Sequence, residues 1–388
     1  MTTIGESSFT KDWLIRSLKE AAAEQFERVE GVKDVKEISG GKGFASKVYL
    51  CTLNDGQEVV LKVPESAKLN LSSSEEEQKE NHDMVVGMHD REVDFYDSFG
   101  SWDWIPLPKM FKTGKIGERE GLLLMESFAG RAELGSLVDG FLKGQLLSMA
   151  RDLARFQAKF LKMEDNERWR NDFQKDTPDS TVKAYQTLMT KLKEMDSDMF
   201  GPGVDRLLPL VTKEFVNWTS FTGHETVGLS PVMVHGNLWT NNIFWKLRED
   251  GSLSNEVAAY IDWQLSHAGD LTTDLCSVLT LCTEADVRRQ YTDEILKEYH
   301  STLTKELDGQ EPFTFEKVKE LYSITFFAQV RFLIGAVVYH PLIVASLPQG
   351  VQEAQIAKFK LRAKFAIEDC LALVDSLPEK YRKLLDKQ

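Results

Sequence analysis

The segment PVMVHGNLWTNNIFWKL, residues 231 to 247, restricts this chain more than any other. Two short apolar runs enclose a polar loop that carries Asn237 and, five positions later, Asn242. Apolar runs of this length, bounded by turn-forming residues, read as buried strands. A third run, VAAYIDW, ends in Asp262, twenty residues after Asn242. Asn242 and Asp262 each offer hard oxygen donors of the kind Mg²⁺ takes when it also carries water and phosphate oxygens. A strand-end asparagine or a turn aspartate explains either residue alone; the spacing of both is harder to explain that way.

A second cluster lies upstream. VKEISGGKGFASKVYLCTLNDGQEVVLKV reads as strand, glycine loop, strand, tight turn at Asn54-Asp55-Gly56, strand. The loop holds Gly41, Gly43 and Ser46. By itself it fits a hairpin turn equally well. A dinucleotide-binding loop opens a helix, whereas this one feeds a strand, as a loop covering ATP phosphates from between two strands does. Lys62 is a lone charge inside the apolar run VVLKV, either reaching toward phosphates or facing solvent from an edge strand. Glu92, in the helical pattern HDMVVGMHDREVDFYDSF, is in place to pair with it, or is an ordinary exposed glutamate.

Between these elements PESAKLNLSSSEEEQKEN is polar and acidic and is expected to be a surface loop. LLLM at Leu122–Met125 suits a buried strand, and a connector near Gly130 marks the expected boundary between segments 1–129 and 130–388. Beyond it LLSMARDLARFQAKFL and SVLTLCTEADVRRQYTDEILKEYHSTL have helical periodicity. The net charge of -14 disfavours nucleic acid or an anionic membrane as partner. At the start, Thr10 is a candidate helix N-cap with Asp12 in the first turn, and no signal-peptide pattern is read there. The apolar run from Phe326 to Leu347 is interrupted by Gln329, Arg331, His340 and Pro341, so a buried helix is expected rather than a membrane span. Cys51, Cys276, Cys282 and Cys370 have no metal-ligand or disulfide-scaffold spacing, which makes the cytoplasm the expected compartment.

VHGNLWTNNIFW followed by YIDWQLSHAGDLTTDL resembles the phosphotransferase motif of the aminoglycoside and choline kinases. More narrowly it resembles the ecdysteroid-kinase-like, CHK-type family of insects and nematodes. The resemblance takes in GGKGFASKVY, Lys62, REVDFY and LLLMES, and runs from about residue 30 to 345. It implies an α+β, protein-kinase-like bilobal fold, with a small β-rich N-terminal lobe and a larger, mainly helical C-terminal lobe. It also implies Mg-ATP and a small-molecule alcohol as substrates. By position, Gly41, Gly43 and Ser46 cover phosphate, Lys62 contacts it, Glu92 orients Lys62, and Asn242 and Asp262 bind Mg²⁺. One position departs from the pattern: Asn237 stands where the family has its catalytic aspartate.

Two functions follow from that departure. One is a small-molecule kinase with weakened chemistry, acting on a sterol-like alcohol or an amino alcohol. The other is a pseudokinase that binds nucleotide or a small ligand as a sensor or partner module. A protein kinase is disfavoured, because neither a His-Arg-Asp loop nor an Ala-Pro-Glu signature is present. His235 is expected to be structural, Asp274 to match a family position or to cap the following helix, and His267 to have no stronger case. Trp239, Trp245 and Trp263 crowd the motif, as core or as pocket walls.

Overall fold

In the computed structural model the described residues are 2–39, 45–66, 74–117, 120–163, 166–175, 179–379 and 381. The chain divides into two compact units. The first comprises Met1–Glu133, Phe244–Leu253 and Ala258–Ser266; the second comprises Leu134–Ile243, Ser254–Val257 and His267–Gln388.

The first unit is built on an antiparallel five-stranded sheet. Its strands are β1 (Val32–Glu37), β2 (Ser46–Leu53), β3 (Glu58–Pro64), β4 (Met110–Gly114) and β5 (Leu122–Glu126), in the order β1-β2-β3-β5-β4. The β2–β3 connection turns at Gly56, whose φ of 88° suits glycine. Along β3 burial alternates with the pleat: Val59, Leu61 and Val63 are buried, and Val60 and Lys62 lie on the other face. The buried face joins Tyr49, Cys51, Phe111 and Leu124 with Leu14 and Leu18 of helix α1 (Lys11–Ala21) in one apolar cluster. Thr10 caps α1, its hydroxyl accepting from the Trp13 amide at 3.1 Å, with Asp12 in the first turn.

Lys62 pairs with Val48 on one side and Leu123 on the other. It therefore stands in an interior strand, which rules out an edge lysine.

Helix α2 (Glu75–Phe99) starts earlier than the sequence reading placed it. Residues 75–81, expected to be loop, are helical. The Ser74 hydroxyl accepts from the Glu77 amide, and the Glu77 carboxylate accepts from the Ser74 amide at 2.7 Å. This reciprocal cap, with acids at positions 75 to 77, favours a helix start that a merely polar reading overlooks. Glycines 41 and 43 lie outside the described residues.

In the second unit the helices are α3 (Lys143–Lys162), α4 (Asn166–Asp172), α5 (Asp179–Met195), α6 (Ser197–Leu207), α7 (Lys213–Asn217), α8 (Gly223–Val227), α9 (Thr273–Leu281), α10 (Ala285–Glu306), α11 (Phe315–Ile343) and α12 (Gln349–Ser376). Helix α3 packs on α10, while α11 packs on α5, α9 and α12. By length and composition α11 could cross a membrane, yet 72% of its most apolar window is buried inside the protein. It is the core helix expected from its interrupting polar residues.

Three short strands follow β5 in the first part of the chain and the motif region: β6 (Ala132–Leu134), β7 (Val232–Val234) and β8 (Ile243–Leu247). Then come β9 (Leu253–Tyr260) and β10 (His267–Gly269). β6, β8 and β9 form a sheet in the order β6-β8-β9, and β7 pairs antiparallel with β10, Val234 opposite His267. The architecture is α+β, with an antiparallel sheet toward the N-terminus and a larger helical part.

Candidate active site

Two polar assemblies hold the residues singled out by the sequence. In the first unit, Lys62 Nζ lies 2.6 Å from Glu92 Oε2 and 2.5 Å from Asp262 Oδ1. The elements explain the meeting. Lys62 projects from the non-apolar face of β3, Glu92 lies on the buried face of α2, and Asp262 follows the end of β9. Glu92 is only 1% exposed. Its carboxyl is pushed above the ordinary range by burial, against the pull of Lys62 and with a push from Asp262. Burial opposes the charge on Lys62, but Asp262 and Glu92 together outweigh it and hold the ammonium charged to higher pH than usual.

Asp262 is the open member of the cluster, with 22% of its side chain exposed. Its φ of 67° is in the left-handed region, which aspartate enters more readily than most residues. Neighbouring contacts hold that turn. Gln264 donates to Asp262 Oδ2 at 3.1 Å, and the Trp263 indole N–H donates to the Tyr260 carbonyl at 3.1 Å. The Trp263 ring also stacks flat on Phe95 of α2, with centroids 3.9 Å apart. Trp263 and Trp245 are fully buried and belong to the core; Trp239 is half-buried.

In the second unit the loop after β7 is held from α9. Asp274 Oδ2 accepts from the His235 amide at 2.8 Å and Oδ1 from the Gly236 amide at 3.0 Å. Ser277, one turn further along α9, donates to the Leu238 carbonyl at 2.8 Å. Asp274 is therefore not the N-cap of α9, a position that falls to Thr272. The loop amides claim its carboxylate instead. Burial pushes the Asp274 carboxyl up to about 6, while the two amides pull it back.

His235 is fully buried, and its Nδ1 accepts from the Asn237 amide at 3.3 Å, so the ring serves the loop's shape. Gly236, with φ of 73°, makes the turn. The Asn242 amide nitrogen donates to the Asn237 carbonyl at 2.8 Å, closing the loop on itself. Asn237 is half-buried. His267 is buried on β10, with its ring edge-on to Phe221. Ser46 opens β2 opposite Pro64.

The sequence reading missed Ser277, Gln264 and Phe95. Ser277 had a usable signal, since it lies three positions after Asp274 on one helix face. Gln264 and Phe95 had none. Among the described residues no three His, Cys, Asp or Glu side chains are grouped as a metal site.

A family profile described as "Uncharacterized oxidoreductase dhs-27" matches residues 57–376. In Caenorhabditis elegans, the uncharacterized oxidoreductase dhs-27 is 24% identical over 326 residues, 77% of this chain and 38% of that protein. The chain thus spans well under half of this relative, whose name describes the larger protein. The uncharacterized kinase-like protein D1044.1 of the same organism is 23% identical over 316 residues, 75% of this chain and 79% of its own length. Among solved structures, choline kinase from Cryptosporidium parvum Iowa II aligns with 94% of this chain and 98% of its own, at 12% identity and a TM-score of 0.55. That likeness concerns the fold, which is the kinase-like fold of the choline kinase structure. With 57–376 matched, the chain belongs to the DUF1679 family.

Proposed function

We propose that this chain is an ATP-dependent phosphotransferase acting on a hydroxyl of a small molecule, with turnover weakened at Asn237. The observation that carries the reading is the buried contact of Lys62 with both Glu92 and Asp262. When Glu92 is ionised, one ammonium between two carboxylates leaves an excess of negative charge, which a divalent cation with its phosphates is suited to compensate. The kinase-like fold and the kinase-like relative support the same reading.

In this scheme Glu92 holds Lys62 in place for a phosphate oxygen, and Ser46 with Gly41 and Gly43 covers the phosphates. The lobes are 1–129 and 130–388. Asp262 and Asn242 hold Mg²⁺, which when bound neutralises charge on the transferring phosphate. The donor chemistry fits: Asp262 is the exposed carboxylate of its cluster, and Asn242 uses its amide nitrogen within the loop, which leaves its carbonyl oxygen for a cation. The Asn237 amide oxygen can accept a hydrogen bond from the substrate hydroxyl and aim it, but it cannot take the proton. Phosphoryl transfer through a loose transition state relies mainly on positioning and electrostatics, so slow turnover survives the change.

The acceptor is a sterol-like alcohol or an amino alcohol, and the proposed compartment is the cytoplasm, in keeping with four free, buried cysteines. A pseudokinase is the second reading, favoured by Asn237 alone. The test has two stages. Melting curves with and without ATP and magnesium are expected to show clear stabilisation, and no shift at saturation would remove the nucleotide site. ATP consumption is then screened over alcohols, steroids and amino alcohols for the natural chain and an Asn237→Asp variant. Binding without consumption by either protein selects the pseudokinase.

A further inference from the structure

The segment REVDFY ends on a residue that the proposed scheme leaves without a role. Tyr96 lies one helical turn after Glu92 on α2, so the two side chains leave the same face of the helix. Tyr96 is 4% exposed. Its hydroxyl oxygen is buried and has no hydrogen-bond partner among the described residues. The neighbouring ring, Phe95, stacks on Trp263, the residue after Asp262. Burial, and after it the charges of Glu92 and Asp262, hold the phenol proton on well above the ordinary range. The Asp262 amide N–H pulls the other way, facing the phenol oxygen without completing a hydrogen bond. Tyr96, Glu92, Lys62 and Asp262 all belong to the first unit.

A phenol carries one donor and can accept as well, and a buried one left unmatched costs stability. An unmatched group of this kind calls for a state of the site that uses it. That state follows from the cluster itself. Lys62 is the donor that answers Glu92. A phosphate oxygen that draws the ammonium away leaves Glu92, 1% exposed, as a buried charge in need of a further donor. The Tyr96 hydroxyl is a neutral donor one turn away.

We propose that Tyr96 is a positioning residue for the nucleotide site: with magnesium nucleotide bound, its hydroxyl donates to the Glu92 carboxylate and accepts from the Asp262 amide. The first bond keeps Glu92 ionised and aimed at Lys62. The second steadies the left-handed turn that presents the Asp262 carboxylate. The inference rests on the phosphotransferase reading and adds an expectation of its own: a hydroxyl that is a burden to the free protein strengthens the bound one.

Tyr96→Phe removes the hydroxyl and nothing else, and melting curves over a magnesium titration at fixed ATP compare it with the natural full chain. Without ligand the variant is expected to melt at the same temperature as the natural protein or higher, because no hydrogen bond is lost. With ATP, the magnesium concentration that gives half the stabilisation is expected to rise ~10-fold, as the loss of a hydrogen bond to a charged group implies. On a Glu92→Ala background the same substitution is expected to change that concentration by less than ~2-fold, since the acceptor is already gone. An unchanged magnesium midpoint in Tyr96→Phe, in a natural protein that ATP and magnesium do stabilise, overturns the proposal and leaves the phosphotransferase reading standing. A full ~10-fold effect on the Glu92→Ala background does the same. No stabilisation of the natural protein removes both.

Discussion

The Lys62 cluster and the Asn237 loop are assembled on opposite electrostatic plans. In the first, charge answers charge: one ammonium touches two carboxylates from separate elements. In the second, a single buried carboxylate, Asp274, is answered by backbone dipoles, and the residues it positions, Asn237 and Asn242, are neutral. The contrast separates two jobs. A cluster of ions responds to an incoming charged ligand, because its members exchange partners. A loop fixed through its amides responds mainly to changes that unfold it. Substitutions in the first region should therefore act on binding, and those in the second on rate or stability.

The largest expected effect is at Asp262. Asp262→Asn tolerates the left-handed backbone and removes only the charge, so it should abolish magnesium-dependent stabilisation by ATP. Glu92→Gln should diminish that stabilisation without abolishing it, since in the proposed scheme Glu92 acts only through Lys62. Small, equal effects of the two in melting curves would erase the distinction between a metal ligand and an orienting residue.

Next comes Asn237→Asp, expected to raise kcat by at least ~10-fold on an accepted alcohol, the low side of what general-base assistance supplies. Single-turnover rates for both proteins measure it. A natural chain already working at about 1 to 100 per second, and no faster with aspartate, would mean that position 237 is not the base position.

Asp274→Ala strands the buried His235 amide and the part-buried Gly236 amide and should cost about 2 to 3 kcal/mol in denaturant unfolding, against about 1 kcal/mol for Ser277→Ala. If the two costs are equal, the loop does not hang mainly on the carboxylate.

A further effect is one of pH. Asp274 holds its proton up to about 6 when folded, above the ordinary 3.8. The folded state therefore binds more protons than the unfolded chain between those values, and stability from this group falls as pH rises through that window. Relative to Asp274→Asn, the natural protein should lose stability from pH ~4 to ~6. A relative gain over that range would show that the amides outweigh burial.

The sequence made some of this legible and left the rest hidden for identifiable reasons. Lys62 stood out as a lone charge inside the apolar run VVLKV. Asn242 and Asp262 stood out by spacing within one short segment. Asp274 was seen but left between a family position and a helix cap, because the partners that decide against the cap lie 38 and 39 positions away. The start of α2 was readable in Ser74-x-x-Glu77, yet composition spoke louder than the cap. The left-handed turn at Asp262 had no local mark, since it is held by Gln264 and by the Trp263 stack on Phe95.

The separation of the Lys62 contacts along the chain has a consequence for synthesis. Glu92 follows Lys62 by 30 positions, whereas Asp262 follows by 200. At ~5 to 20 residues per second, Asp262 is made ~10 to 40 s after Lys62. Throughout that interval the nascent lysine has at most one of its two carboxylate partners. The first unit also waits for Phe244–Leu253 and Ala258–Ser266. A ribosome stalled anywhere before residue 266 therefore carries this unit unfinished, and a fragment cut at residue 133 reproduces that unfinished state in a test tube.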